Sequence, residues 1–177
     1  ESIIPYSQIS RFNGLPRNLN AATCFYTDTK NNLWIGSRYS GLFMISARTG
    51  LAQQFLNYDP VTGDRSRQIN KIYEDHYGSI WIGTNNGLFK LVSESENPTY
   101  QLYRYLPDEN DPSAIIGEFI SAIFEDSDSV LWIGTLGGAL NVSKNRQGEH
   151  LGMKFEHYIA QTEDLSAIRS NIIYDVI

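Results

Sequence analysis

"GSIWIGTNNGLFKL" occupies Gly78–Leu91, and its reading decides the fold. Nearly the same words appear as "NNLWIGSRYSGLFMI" (Asn31–Ile45) and as "SVLWIGTLGGALNV" (Ser129–Val142). Within the first quoted stretch, "SIWIGT" (Ser79–Thr84) and "GLFKLV" (Gly87–Val92) are short, apolar and rich in residues that favour strands. The intervening Asn85-Asn86 supplies turn chemistry, so the stretch reads as a β-hairpin. In the same unit "INKIYED" (Ile69–Asp75) predicts a strand before the hairpin and "YQLYRY" (Tyr100–Tyr105) one after it. No stretch keeps a helical apolar period across a dozen residues.

The hairpin belongs to a longer repeat. Trp34, Trp81 and Trp132 mark three units spaced roughly fifty residues apart. Six residues before each tryptophan stands an aspartate: Asp28, Asp75 and Asp126. Two residues after it stands a glycine: Gly36, Gly83 and Gly134. A second glycine (Gly41, Gly87, Gly138) then opens an apolar run. An aromatic segment closes each unit: "FLNY" (Phe55–Tyr58), "LYRY" (Leu102–Tyr105) and "FEHY" (Phe155–Tyr158). Four short strands at this period are the mark of a β-propeller blade, which buries its faces against neighbouring blades. The fold class expected is all-β, a partial β-propeller over residues 1–177. The blades fall at about 20–58, 69–105 and 120–158, and the opening strand of a fourth at 171–177. The tryptophan is expected to pack blade against blade, and the aspartate to accept backbone N–H groups in the turn that follows it.

The totals exclude several function classes. Among 177 residues, Lys and Arg number 14 and Asp and Glu 20, a net charge of −6. That balance lacks the basic stripe a nucleic-acid surface needs. No apolar run reaches the length of a membrane span, so no direct membrane contact is expected. Cys24 is the single cysteine and reads as a small core residue. Glu1 and Ile177 carry no targeting information.

At this point the residues resemble a known family. Ile-x-x-Ile-aromatic-Glu-Asp, Trp-Ile-Gly-Thr and Gly-Leu, clearest at Ile69–Leu88 and again at Ile120–Leu140, look like the two-component regulator propeller repeat. The links Tyr105–Ile115 and His157–Ile168 are similar to that family's inter-blade segments. The first unit departs from the pattern, with Thr27 for the glutamate, Ser37 for the threonine and one extra residue before Gly41. The resemblance implies the periplasmic sensor region of a hybrid two-component histidine kinase that responds to an oligosaccharide. It also implies that the remaining propeller blades of the parent chain, and a second copy in a homodimer, are partners.

Nothing in the chain reads as an enzyme site. Glu74-Asp75 and Glu125-Asp126 are paired carboxylates, but neighbouring strand residues point to opposite faces and cannot converge on one bond. The acidic runs Asp108–Pro112 and Glu125–Ser129 lack the spaced bidentate glutamate of a calcium loop and read as solvated turns. His76, His150 and His157 have no partner at metal-ligand spacing, so no metal and no cofactor are expected. Asn141–Ser143 matches a glycosylation acceptor and reads as a chance match.

Binding is what remains. The turns Ser37–Gly41, Thr84–Gly87 and Thr135–Gly138 are expected to emerge at one end of the blades. The links Asp59–Gln68, Leu106–Gly117 and Ile159–Ser170 are expected there too, as loops on a rigid scaffold. Arg38, Tyr39, Arg65, Arg67, Asn85 and Asn86 are the candidate ligand-binding residues. A tyrosine face and guanidinium groups suit a sugar, above all a uronic acid. Against this stand a protein-interaction scaffold and an accessory or catalytic propeller of a polysaccharide-degrading enzyme.

Overall fold

A computed structural model describes residues 19, 21–56, 68–93, 100–143, 153–160, 170 and 172–174. Among them there is no helix, only twelve strands in three four-stranded antiparallel sheets. These are three blades of a partial β-propeller. The first holds β1 (Ala22–Thr27), β2 (Leu33–Ser37), β3 (Leu42–Ile45) and β4 (Ala52–Phe55). The second holds β5 (Ile69–Glu74), β6 (Ile80–Thr84), β7 (Gly87–Ser93) and β8 (Tyr100–Tyr105). The third holds β9 (Ile120–Glu125), β10 (Leu131–Thr135), β11 (Leu140–Ser143) and β12 (Phe155–Tyr158). In every sheet the strands lie side by side in chain order. The chain divides into two compact units, Glu1–Ile69 and Asn70–Ile177.

The strand pattern follows from where each strand sits. β2, β6 and the first five residues of β7 are buried almost throughout and, apart from Ser37, Thr84 and Lys90, apolar, as strands covered on both faces must be. β8, at the outer edge, is exposed at Gln101, Leu102 and Arg104. Because side chains alternate along a strand, Trp81 and Gly83 share one face of β6, and Ile80 and Ile82 the other.

In the second unit Trp81 and Leu88 form a core with Ile115, Ile120, Ile123, Leu131, Ile133 and Phe155, most of them residues of the third blade. The tryptophan thus packs blade against blade, but it is also fastened within its own blade. Trp81 stacks on Tyr105 of β8 with ring centroids 5.8 Å apart, and Trp132 stacks on Tyr158 of β12 at 6.2 Å. In the first unit Trp34 packs on Phe55 at 5.4 Å.

The repeated glycine makes the close approach possible. A Cβ at Gly83 would lie 2.7 Å from Cγ2 of Ile120, the residue that opens the next blade. Gly36 stands in the same relation to Ile69 at 2.6 Å, and Gly134 to Ile173 at 2.5 Å. Any side chain there would push the incoming strand away. Ile173 is further held by its N–H to the Thr135 carbonyl at 3.1 Å, and Leu136 forms an antiparallel bridge with Ile172.

One equivalence drawn from the sequence is corrected. Register pairs Gly36 with Leu42, Gly83 with Leu88 and Gly134 with Leu140. The residue preceding each leucine is Gly41, Gly87 and Ala139, so Ala139, not Gly138, stands in the place of the second glycine. Gly41 and Gly87 have φ of 74° and 102°, in the left-handed region that suits glycine. The third turn places its positive φ of 80° at Gly137 instead, and a Cβ on Gly138 would collide with the Thr135 hydroxyl. Two glycines in a row hid which of them the turn required.

Candidate functional site

Each blade has two ends, and the sequence builds them differently. At one end, an aspartate closing the first strand caps a tight turn and holds the tryptophan. Asp75 Oδ1 accepts the N–H groups of Tyr77 (3.1 Å) and Ser79 (2.8 Å), while Oδ2 accepts the indole N–H of Trp81 at 2.8 Å. Asp28 does the same for Lys30, Asn32 and Trp34, and Asp126 for Asp128, Val130 and Trp132. The indole bond of Trp132 and the Val130 N–H hold the Asp126 carboxyl below the usual carboxylate range. The carboxylate therefore satisfies both a turn and a tryptophan N–H that lies against the core. The indole bond was not anticipated from the sequence, although the constant six-residue offset carried it.

Two aspartates of the second link serve the same local purpose. In the second link Asp108 accepts the Asn110 N–H at 2.9 Å, and Asp111 accepts the Ser113 N–H at 2.8 Å and its hydroxyl at 2.6 Å. The two bonds from Ser113 hold the Asp111 carboxyl below its usual range.

At the opposite end, the turn between the second and third strands meets the inter-blade link, as the loop arrangement requires. In the second unit the Gly87 N–H bonds the Glu118 carbonyl at 2.7 Å, and the Leu136 N–H bonds that of Phe119 at 3.0 Å. In the first unit Gln54 Nε2 donates to the Ser40 carbonyl at 2.9 Å, tying the outer strand to its turn.

The candidate ligand residues divide between the two units. Arg38 and Tyr39 are exposed on the turn of the first unit, Tyr39 by 72%, with the Tyr39 and Ser40 N–H groups bonded to the Ser37 hydroxyl. Asn85 and Asn86 are half-buried on the turn of the second unit. Arg65 and Arg67 lie outside the described residues.

The structure adds a residue that sequence reading passed over. Arg104, exposed on β8, donates to the Asn86 carbonyl at 3.1 Å, and its guanidinium lies 5.2 Å from the Phe89 ring centroid. It sat inside the closing aromatic segment, where only alternation on an edge strand marked it as outward-facing. The link 107–117 bounds an open cleft of about 290 Å³ lined by Pro107, Asp108, Glu109, Asp111 and Ile115 among others.

That link is fixed from beneath by Asn141, which is wholly buried. Its Oδ1 accepts the Ile116 N–H at 2.7 Å, and its amide nitrogen donates to the Ile116 carbonyl at 3.1 Å. His157 Nε2 bonds the Ala114 carbonyl at 2.8 Å, and the Phe155 N–H that of Ser113 at 2.9 Å. An amide so occupied is closed to glycosylation, whatever the Asn-Val-Ser match suggests. Register puts Asn141 where the other two blades have Phe43 and Phe89, a polar residue in an aromatic slot. That substitution was the available signal.

Comparison with known proteins agrees with this architecture. The family described as two-component regulator propeller matches residues 63–86 and 114–137. A histidine kinase of Formosa agariphila is 32% identical over 77 residues, which are 43% of this chain and 6% of that protein. An extracellular domain assigned to a hybrid two-component system of B. thetaiotaomicron is similar, with TM-score 0.57 and 28% identity. The match covers 71% of this chain and 16% of that one. A second such domain from B. thetaiotaomicron has TM-score 0.67 and 21% identity over 93% of this chain and 19% of that one. A catalytically inactive virginiamycin B lyase from Staphylococcus aureus, 16% identical with TM-score 0.57, covers 84% of this chain and 44% of that one and shares the fold alone. This chain thus spans a small fraction of the sensor relatives it matches. Two stretches of it, in the second and third repeat units, are similar to the two-component regulator propeller repeat.

Proposed function

We propose that this chain is part of the extracytoplasmic sensor region of a hybrid two-component system, where it contributes a ligand-binding surface and no catalysis. The observation that carries the reading is the repeat itself, shared with a histidine kinase and with extracellular domains of such systems. A periplasmic location and completion of the ring by further blades of the parent chain belong to the same reading. Fold alone does not decide it, since a lyase is built on the same scaffold.

The ligand proposed is an oligosaccharide carrying a carboxylate, bound at the loop end of the second blade. Arg104 presents a guanidinium there, preorganised on Phe89 and by its bond to the Asn86 carbonyl. A planar fork of this kind pairs with a carboxylate through two bonds. Binding acts by population shift: the ligand stabilises one arrangement of blades or of a homodimer, and the membrane-proximal part of the parent reads the difference.

Titration calorimetry of the extracytoplasmic region against neutral and uronate oligosaccharides tests the proposal. A uronate oligosaccharide is expected to bind, and Arg104→Ala to weaken that binding about tenfold or more. Binding of neutral and acidic sugars alike, or of none, overturns it. Release of reducing or unsaturated sugar during the titration would favour the enzyme reading instead.

A further inference from the structure

The turn between β6 and β7 carries a reactive dipeptide that the fold holds in check. The chain has two Asn-Gly pairs, Asn13-Gly14 and Asn86-Gly87, and only the second lies among the described residues. An asparagine followed by glycine is well suited to attack on itself, because no side chain shields the glycine nitrogen or restrains its backbone. The Gly87 nitrogen loses its proton and attacks Cγ of Asn86. A C–N bond forms, the bond from Cγ to the side-chain nitrogen breaks, and that nitrogen takes up the proton and leaves as ammonia. Water then opens the cyclic imide at either carbonyl, giving aspartate or isoaspartate. Water is the only co-reactant.

In the folded chain the attacking nitrogen is engaged. The Gly87 N–H donates to the Glu118 carbonyl at 2.7 Å. Attack requires this nitrogen to give up its proton and to turn toward the asparagine side chain, and the bond to a carbonyl opposes both. The hairpin also fixes Gly87. It pairs with Thr84, whose hydroxyl donates to the Gly87 carbonyl at 2.8 Å and accepts the Asn86 N–H at 3.0 Å. The Glu118 carbonyl is offered from a stretch anchored on either side. Before it, Ile115 is buried, and the Ile116 N–H and carbonyl are both bonded to Asn141. After it, the Phe119 carbonyl accepts the Leu136 N–H at 3.0 Å, and Ile120 is buried against Gly83. Gly87 belongs to blade two and Asn141 and Leu136 to the third unit, so the bond that engages the nitrogen spans the junction.

We propose that Asn86 is a deamidation site gated by the second link: closed while the Glu118 carbonyl holds the Gly87 N–H, and open when the link lifts from the turn. Conversion puts a carboxylate on the residue whose main-chain carbonyl Arg104 bonds at 3.1 Å. The modified turn then competes with an acidic ligand for that guanidinium. Isoaspartate also lengthens the main chain inside the turn that Thr84 and Gly87 close, which their pairing does not accommodate. The effect on binding rests on the carboxylate-bearing ligand proposed above. The gate does not, since it is read as a change of mass.

Peptide mass mapping of the full chain, incubated in mildly alkaline buffer, tests the gate. In denaturing guanidinium chloride both Asn-Gly pairs are expected to convert. In the folded chain Asn86 is expected to convert about tenfold or more slowly than in denaturant, because reaction waits on local opening. Asn141→Ala, which releases Ile116, is expected to speed conversion at Asn86 in a chain that remains folded. Should that variant not fold, the unaltered chain in denaturant below its unfolding transition discriminates as well. Conversion at Asn86 must then rise in step with hydrogen exchange of the Gly87 amide. Conversion as fast folded as unfolded, conversion in neither state, or a rate that follows neither the release of Ile116 nor Gly87 exchange overturns the proposal. A chain that shows the gate but binds no uronate supports the gate and removes the ligand reading alone.

Discussion

Blade one and blade two share one register, yet they fill the space beneath the tryptophan with opposite chemistry. Trp34 pairs across the sheet with Met44, and Trp81 with Lys90. Both side chains are buried, and both indoles are held by an aspartate at 2.8 Å. The third blade, with Val142 opposite Trp132, follows the apolar solution of the first. The frame of a blade is thus indifferent to this position. A buried ammonium is retained in blade two at the cost of its desolvation, and methionine's flexible thioether fills the same space without that cost. Lys90 Nζ lies 3.9 Å from Asp75 Oδ2, so the difference places a charged pair in one blade of the three.

The largest test of this contrast is removal of the aspartate. Asp75→Ala strips Trp81 of its acceptor and Lys90 of its nearest counter-charge, and is expected to cost about 3–5 kcal/mol. Asp28→Ala strands turn N–H groups, the Asn32 side-chain amide and the indole of Trp34 but no buried cation, with an expected loss of about 1–3 kcal/mol. Urea midpoints of the two variants, at unchanged slope, measure the gap. Equal losses would mean that Lys90 draws nothing from Asp75.

Exchanging the residues themselves should have a smaller and asymmetric effect. Met44→Lys buries a cation opposite Trp34, whose indole Asp28 holds, and is expected to destabilise by about 1–3 kcal/mol. Lys90→Met is expected to fall within about 1 kcal/mol of the parent, because the Asp75 carboxylate keeps its N–H donors from Tyr77, Ser79 and Trp81, as Asp28 keeps its own in the blade that has methionine there. The lowered pKa of Lys90 sets the sign with pH. The unfolded chain holds that proton more tightly, so the parent gains on Lys90→Met as pH rises from neutrality toward about 10. Chemical denaturation of both proteins at two alkaline pH values checks it.

The smallest effect is expected at Asp126, whose pKa is depressed by Trp132 and Val130. Its contribution is complete above the ordinary carboxylate range and is lost as pH falls through the lowered value. Asp126→Asn should therefore be the weaker protein at pH 7, with the difference closing toward about pH 3 in acid unfolding followed by tryptophan fluorescence.

Much of the frame was legible because it repeats. Strand, turn, aspartate, tryptophan and glycine recur at constant offsets, and local rules for hairpins and Asx turns convert such offsets into blades. The limits of β6 differ from the sequence expectation by one residue, Ile80 for Ser79, because Ser79 belongs to the capped turn. The candidate site was less legible. Arg104 and Asn141 occur once each, so no period announces them, and their meaning lies in partners distant along the chain. Asn86 is eighteen residues from Arg104, and Ile116 twenty-five from Asn141.

The sequence by itself therefore determined the number of described blades, their strand order and the aspartate-capped turn, since each depends on residues within a few positions of one another. Only the tertiary structure decided that Gly83 admits Ile120, that Asn141 pins the second link, and that Glu125 reaches across to His76. Those contacts join a blade to its neighbour or to the link between them, and spatial adjacency across roughly twenty-five to fifty residues leaves no periodic trace in the chain.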